Sequence, residues 1–411
     1  MKITFISIFG AFLLGLIPWF YWIDEPPIDL KPLPPLSNDD FELHIPTGFQ
    51  PVLDSFEVEV NRLMRYSSTP GAAVAIVKDS NLVYLKGFGL KTQGVQDSID
   101  VHTVFRLASV SKCFAGLLTG LLVSDSILTI DAPIARYWPE FSIKDKAGKS
   151  GLTLQHVLSH TTGFPYHAYT NLVEAGLSFD RLMEELQQVK ATYPPGKEYT
   201  YQNVAFSISG KVIEKMTHQS YQQQLKDKIF RPLGMVDASV SYQEIKERSN
   251  RASPHLILNG KGYPTPIHSS YYNVAPAGGV NASIYDMAHW MIAMLGYRKD
   301  VVPLKTLDLL YTPIIKTPVK NGNYRKYKKV NASYYGLGFR ILCYAQDTLI
   351  YHGGYVNHFR SEVALNKRTG MGICILSNAP GRITDEGIPL FFNLLEQYGP
   401  WVDGSMEAEK K

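Results

Sequence analysis

Apolar positions recur along this chain in rhythms that change with position. Phe56, Val60, Leu63 and Met64 fall at helical spacing and predict a helix over 56–66. "GAAVAIVKDSNLVYLKGFG" is two apolar runs around Asp79, Ser80 and Asn81, the pattern of two strands joined by a turn. Residues 109–123 form a long apolar helix, and helical patterns then dominate from Leu128 to about Met294: "TLQHVLSH", "FDRLMEELQQV", "FSISGKVIEKM", "YQQQLKDKIF", "YDMAHWMIAML". After Tyr335 strand patterns return in "GLGFRILCY", "DTLIYHGG", "RSEVALNK" and "MGICILSN", and an amphipathic helix, "IPLFFNLLEQY", follows. Strands near both ends with helices between them predict an α+β fold. Both ends would join one antiparallel sheet flanked by helices, with an inserted, mostly helical lobe over about 126–295. A site between sheet and lobe would draw residues from both.

A third rhythm opens the chain. Residues 3–23 carry no charge, follow Lys2 and precede Asp24 and Glu25. As a helix they would span roughly 31 Å, enough to cross a bilayer. Lys2 obeys the positive-inside rule, and Trp19, Tyr21 and Trp22 sit where an aromatic belt would lie. No A-x-A cleavage site follows, so a retained membrane anchor is expected ahead of a cleaved signal; either exports the protein. The proline-rich "DEPPIDLKPLPPLS" reads as an extended spacer with roughly 40 Å of reach. The expected organisation is an anchor or signal over 1–23, a spacer over 24–47, a globular head over 48–398 held outside the cytoplasm, and a polar tail over 399–411.

Composition adds mainly exclusions. A net charge of +4 on 411 residues is too mild to argue for nucleic acid. The basic cluster Arg325, Lys326, Lys328 and Lys329, interleaved with Tyr324 and Tyr327, reads as a solvated loop. Cys113, Cys343 and Cys374 are too few and too scattered for a disulfide framework or a zinc site. Cys343 and Cys374 would meet only if their strands were neighbours, and buried free thiols are the simpler reading. His156 and His160 have a metal-compatible spacing but no evident third ligand, so a structural role is expected. No cofactor or metal is expected.

Three segments carry candidate chemistry. In "RLASVSKCFAGLL", Ser109 and Lys112 lie one helical turn apart and face the same way. A neutral lysine amine there can take the serine proton, and burial shifts a lysine towards neutrality. In "PPGKEYTYQNVAFS", Tyr201 is a second proton-transfer candidate. Asn203, with donor and acceptor together, can hold both Lys112 and a substrate amide. In "IYHGGYVNHFRSEVAL", a strand runs from His352 into Gly353 and Gly354, which lets a ligand approach the backbone. The N–H groups of Tyr355 and Ser109 can then pair as an oxyanion hole.

In this order, "SVSK", "YQN" and "HGG" resemble the signature of the serine β-lactamase and penicillin-binding protein superfamily. The likeness is greatest to the class C branch and its D-stereospecific peptidase and esterase relatives. "LTLQHVLSHTTGF", "RPLGM", "PAGGVNASIYDMAHW" and "YYGLGFRI" extend the resemblance over about 56–378. It implies an acyl-enzyme on Ser109, proton traffic shared by Lys112 and Tyr201, orientation by Asn203, and substrate positioning by His352, Gly354 and Tyr355. One departure concerns charge: His352 stands where class C enzymes have a lysine that helps hold the substrate carboxylate. Arg360 is the expected replacement, since guanidinium grips carboxylates bidentately. The implied function is an exported serine hydrolase of the β-lactamase type. A D-peptidase or carboxypeptidase, a carboxylesterase, and a non-catalytic binder of cell-wall peptide are the alternatives.

Overall fold

The computed structural model describes residues 42–143, 151–319, 324 and 327–398, all within one compact unit, Phe41–Lys411. The expected anchor, most of the spacer and the polar tail lie outside the described residues. Among those described, no helix is long and apolar enough to cross a membrane.

The described residues open with α1 (Gln50–Ser67) and the hairpin β1 (Gly71–Lys78) and β2 (Asn81–Gly89). Next comes α2 (Ser111–Ser124), then the helical middle, which includes α3 (Leu154–Leu158), α4 (Asn203–Phe206) and α5 (Ile284–Met294). Six further strands follow: β3 (Ile315–Lys316), β4 (Val330–Tyr335), β5 (Arg340–Tyr344), β6 (Asp347–Val356), β7 (Phe359–Asn366) and β8 (Met371–Ser377). The last helix is α6 (Arg382–Tyr398). The sheet order is β2-β1-β8-β7-β6-β5-β4-β3, antiparallel throughout. The two ends of the chain meet as expected: Ala72 stands opposite Ser377 and Lys78 opposite Met371.

Alternate residues of β1 serve two cores, which explains its unbroken apolar run. Ala72, Val74 and Ile76 pack under α1 and α6, whereas Ala73, Ala75 and Val77 join the larger cluster with α2 and α5. The helical middle also holds short strand pairs, His255–Leu258 with Lys261–Pro264 among them. Ser283 and Asp286 cap α5 reciprocally, which fixes where that helix begins.

Three expectations change, and the free-thiol reading holds with one refinement. β3 and β4 precede the point at which strands were expected, because "VNASYY" buries only Val330, Ser333 and Tyr335 and lacks an apolar run. The helix expected over 388–398 starts six residues earlier, at Arg382, and carries Pro389 inside it. The supposed solvated loop buries Tyr324 and Tyr327 against Tyr351, at ring separations of 5.8 and 5.7 Å. Cys343 on β5 and Cys374 on β8 are separated by two strands and cannot pair; all three cysteines are free, with Cys343 only half-buried.

Candidate active site

Ser109 sits in a 3-10 turn, Ala108–Val110, that leads into α2. It is the only residue from Thr103 to Leu122 that is not buried, so a hydroxyl opens from an otherwise buried segment. Ala108 has φ of +49°, a left-handed conformation costing an alanine about 1–2 kcal/mol. The surroundings hold it there. The Leu107 N–H donates to Val280 O at 2.9 Å, its carbonyl accepts from Ser361 Oγ at 2.5 Å, and Ser111 Oγ accepts from Val280 N at 2.9 Å.

Lys112, one turn on, has no exposure to solvent. Its Nζ donates to Asn203 Oδ1 and to the Ala277 carbonyl, both at 2.8 Å, and lies 3.4 Å from Ser109 Oγ. A neutral amine has two hydrogens and one lone pair, so two donated bonds leave the lone pair for the serine. Burial drives the lysine well below its usual range; Cys113 opposes this and the Arg340 charge adds to it.

Tyr201 donates its hydroxyl to Ser109 Oγ at 2.9 Å. Burial pushes this phenol far up, so it rests protonated. Asn203 is the first residue of α4; Gln202 takes the cap position, which frees the asparagine side chain for Lys112. His160 lies tilted against Tyr201 with ring centroids 4.2 Å apart, and its Nδ1 accepts from the Gln202 N–H at 3.2 Å. His156 instead caps α3 with Thr153. The two histidines therefore serve different structural purposes, and no group of three potential metal ligands occurs among the described residues.

β6 brings the third segment alongside. A Cβ on Gly354 would lie 2.5 Å from Leu107 O, 2.5 Å from Ser361 Oγ and 2.9 Å from Ser109 N. Only glycine permits that close passage of β6 beside the serine's N–H. The Tyr355 side chain itself is 52% exposed.

Two expectations for this segment need correction. His352 is buried, and both ring nitrogens are engaged: Nδ1–H donates to Gly353 O and Nε2 accepts from Tyr335 OH, each at 2.9 Å. Burial and the Arg340 charge hold it well below its usual range, so it is neutral and braces the strand rather than presenting a polar atom to substrate. Arg360 pairs with Glu362 Oε1 at 2.6 Å and lies 3.4 Å from Asp385 of α6. Arg360 and Glu362 share one face of β7, and Ser361, on the other face, meets the turn that carries Ser109. Arg360 therefore points away from Ser109.

Arg340, which the sequence reading passed over within "YYGLGFRI", is at the site. Its guanidinium carbon lies 5.3 Å from the ring of Tyr335, 5.7 Å from Tyr199 and Tyr324, and 5.9 Å from Tyr201. Its one polar partner among the described residues is Tyr199 OH, at 3.0 Å. Nothing in the local pattern marks an arginine that follows an apolar run.

Residues 59–393 match the family model described as Beta-lactamase. The chain is 24% identical over 358 residues to Unguisins hydrolase ungD' of Aspergillus campestris (strain IBT 28561), covering 84% of this chain and 65% of that protein. It is 23% identical over 314 residues to Protein flp of Staphylococcus aureus (strain MRSA252), covering 75% of this chain and 59% of that protein. The chain thus spans less than two thirds of the length of these curated relatives. Its fold is similar to that of the octameric penicillin-binding protein homologue from Pyrococcus abyssi, with a TM-score of 0.74 and 23% identity, covering 85% of this chain and 80% of that one.

Proposed function

The chain belongs to the beta-lactamase family, and on that premise we propose that it is a serine acyl hydrolase working through an acyl-enzyme on Ser109. One observation carries the reading: the unbroken contact chain from Tyr201 OH through Ser109 Oγ to Lys112 Nζ and Asn203.

Neutral Lys112 takes the hydroxyl proton as Ser109 Oγ bonds to the substrate carbonyl carbon. Charge gathers on the carbonyl oxygen, where the N–H groups of Ser109 and Tyr355 receive it; the passage of Gly354 beside Ser109 N supports this pairing. Collapse breaks the bond to the leaving group, which takes the proton from the Lys112 ammonium through the Tyr201 hydroxyl. Water then attacks the ester, gives a proton to the again-neutral lysine, and Ser109 leaves with that proton. The opposite pKa displacements favour Lys112 over Tyr201 as base: burial makes the amine easy to keep neutral and the phenol hard to ionise.

Amide hydrolysis of the β-lactam type is the leading activity, with D-stereospecific peptides and then esters as alternatives for the same machinery. The uncharged run at 3–23 supports export and a membrane tether, with the hydrolase outside the cytoplasm. The test is intact-protein mass spectrometry seconds after adding benzylpenicillin. A penicilloyl adduct on the wild type and none on Ser109→Ala is expected. Absence of any adduct from penicillin, a D-Ala peptide or a short ester would overturn the acyl-enzyme reading.

A further inference from the structure

Three residues beside the site hold a backbone conformation that bulky L-residues seldom adopt. His167, Tyr169 and Tyr271 have φ of +55°, +61° and +71°. Such strain persists only where the surroundings enforce it, and it concentrates at ligand clamps. Here all three lie on the two segments that bring one carboxylate, Glu174, to the rim of the site.

Two routes lead there from Ser109. The first runs through Tyr201, whose carbonyl accepts from the His167 N–H at 2.9 Å and whose ring lies 5.5 Å from the His167 ring. The His167 carbonyl accepts from Thr170 N at 3.1 Å, where the short helix Thr170–Glu174 begins with Tyr169 as its cap. The second route runs through Lys112. The Ala277 carbonyl that accepts from the lysine precedes Gly278, and a Cβ on Gly278 would lie 3.2 Å from Tyr271 Cβ. Tyr271 donates its hydroxyl to Glu174 Oε1 at 3.0 Å. Asn273 ties the two segments together, its Nδ2 donating to the carbonyls of Val173 and Leu177 at 3.1 and 2.8 Å.

Glu174 is exposed, and no cation pairs with it among the described residues. Glu362, by contrast, is buried and paired with Arg360. The influence of Glu174 reaches inward: burial lowers His167 first, Lys112 adds to this, and Glu174 opposes both. The Tyr271 bond occupies one carboxylate oxygen and leaves the other for a ligand, while the phenol oxygen keeps its own acceptor capacity. A positively charged group with several N–H donors satisfies both, and that group is an ammonium.

We propose that Glu174 and Tyr271 bind an ammonium group of the substrate, so that this site prefers acyl donors carrying a free amine. The assignment rests on the reading of Ser109 as the acylated nucleophile, and the experiment separates the two.

Two matched pairs differ only in the amine: ampicillin with benzylpenicillin, and the 4-nitrophenyl esters of 6-aminohexanoic and hexanoic acids. Assays at about pH 6.5 keep both amines mostly charged. The readout is the ratio of kcat/KM, amine over amine-free; compounds that are not turned over are ranked by how well they protect Ser109 from a fluorophosphonate label. Taking the ratio removes any influence of Glu174 on His167 and Tyr201, which both members of a pair share. The wild type should prefer the amine in at least one pair, and Glu174→Gln should reduce that ratio about 5- to 30-fold, as expected for a charge-assisted bond at an exposed carboxylate. Added salt should lower the wild-type ratio and leave that of the variant unchanged. Equal losses for both members in Glu174→Gln, or no amine preference in either pair, would overturn the assignment. If wild-type Ser109 takes no label and none of the four compounds reacts, the hydrolase reading falls first and this assignment with it.

Discussion

Lys112→Met keeps the length and apolar stem of the side chain and removes its amine. Two effects follow, with different pH behaviour. Asn203 Oδ1 and the Ala277 carbonyl, each now 2.8 Å from Nζ, lose their donor; an unsatisfied buried acceptor costs about 1–3 kcal/mol. That cost is independent of pH. The second effect is protonation. Burial holds the folded-state lysine well below its usual range, whereas the unfolded chain protonates it up to about pH 10.4. The unfolded state therefore binds the extra proton, and wild-type stability rises with pH until the unfolded value is passed. For one proton the slope is about 1.4 kcal/mol per pH unit, or about 3 kcal/mol from pH 7 to 9 if the folded amine is neutral throughout. The variant lacks this contribution, so the decisive quantity is how the stability difference changes with pH, not its size. Urea unfolding of both proteins at pH 7, 8 and 9 measures it, with adduct formation followed in parallel. The difference should move in favour of the wild type by about 3 kcal/mol across the window, and the variant should form no acyl-enzyme. A difference that does not change with pH would mean that folded Lys112 is charged, and the assignment of Lys112 as base would be refuted.

Other expectations are simpler. Gly354→Ala puts a Cβ 2.5 Å from Leu107 O and 2.9 Å from Ser109 N; initial rates should fall about 100-fold, while circular dichroism shows the fold retained. Arg360→Met strands buried Glu362 and should lower the unfolding free energy by about 3–5 kcal/mol. The rate with benzylpenicillin relative to that with its methyl ester should not move in that variant, and a change there would return Arg360 to the substrate site.

The elements that were legible share a short range. The β1–β2 hairpin, the helix that carries Lys112 just after Ser109 and the three strands from β6 to β8 are visible because helix and strand periodicity are local. The i, i+3 placement of Ser109 and Lys112 is local too, and it ends in a 3.4 Å approach. β4 was missed because it is an outer, half-polar strand whose fit depends on its partner. Arg340 was missed for a related reason: its environment comes from Tyr199, Tyr201, Tyr324 and Tyr335, on segments far apart in the chain. Arg360 was misassigned because a strand's pattern does not say which face meets the site. The parity was set when Ser361 met Leu107 O and Arg360 met Asp385.

By itself, then, the sequence determined the α+β division, the candidate serine and its neighbouring amine, and the identity of the tyrosine and asparagine that join them. These follow from residue type and from spacings within a few residues, which covalent geometry turns into position. Only the tertiary structure decided which groups are charged and what they face. His352 is neutral because it is buried against Tyr335, Lys112 is held towards neutrality because no water reaches it, and Arg340 rather than Arg360 faces the Tyr201 ring. Protonation and side-chain facing depend on the desolvation and partners that distant segments supply, and these come into being only when the sheet and the helical lobe close around Ser109.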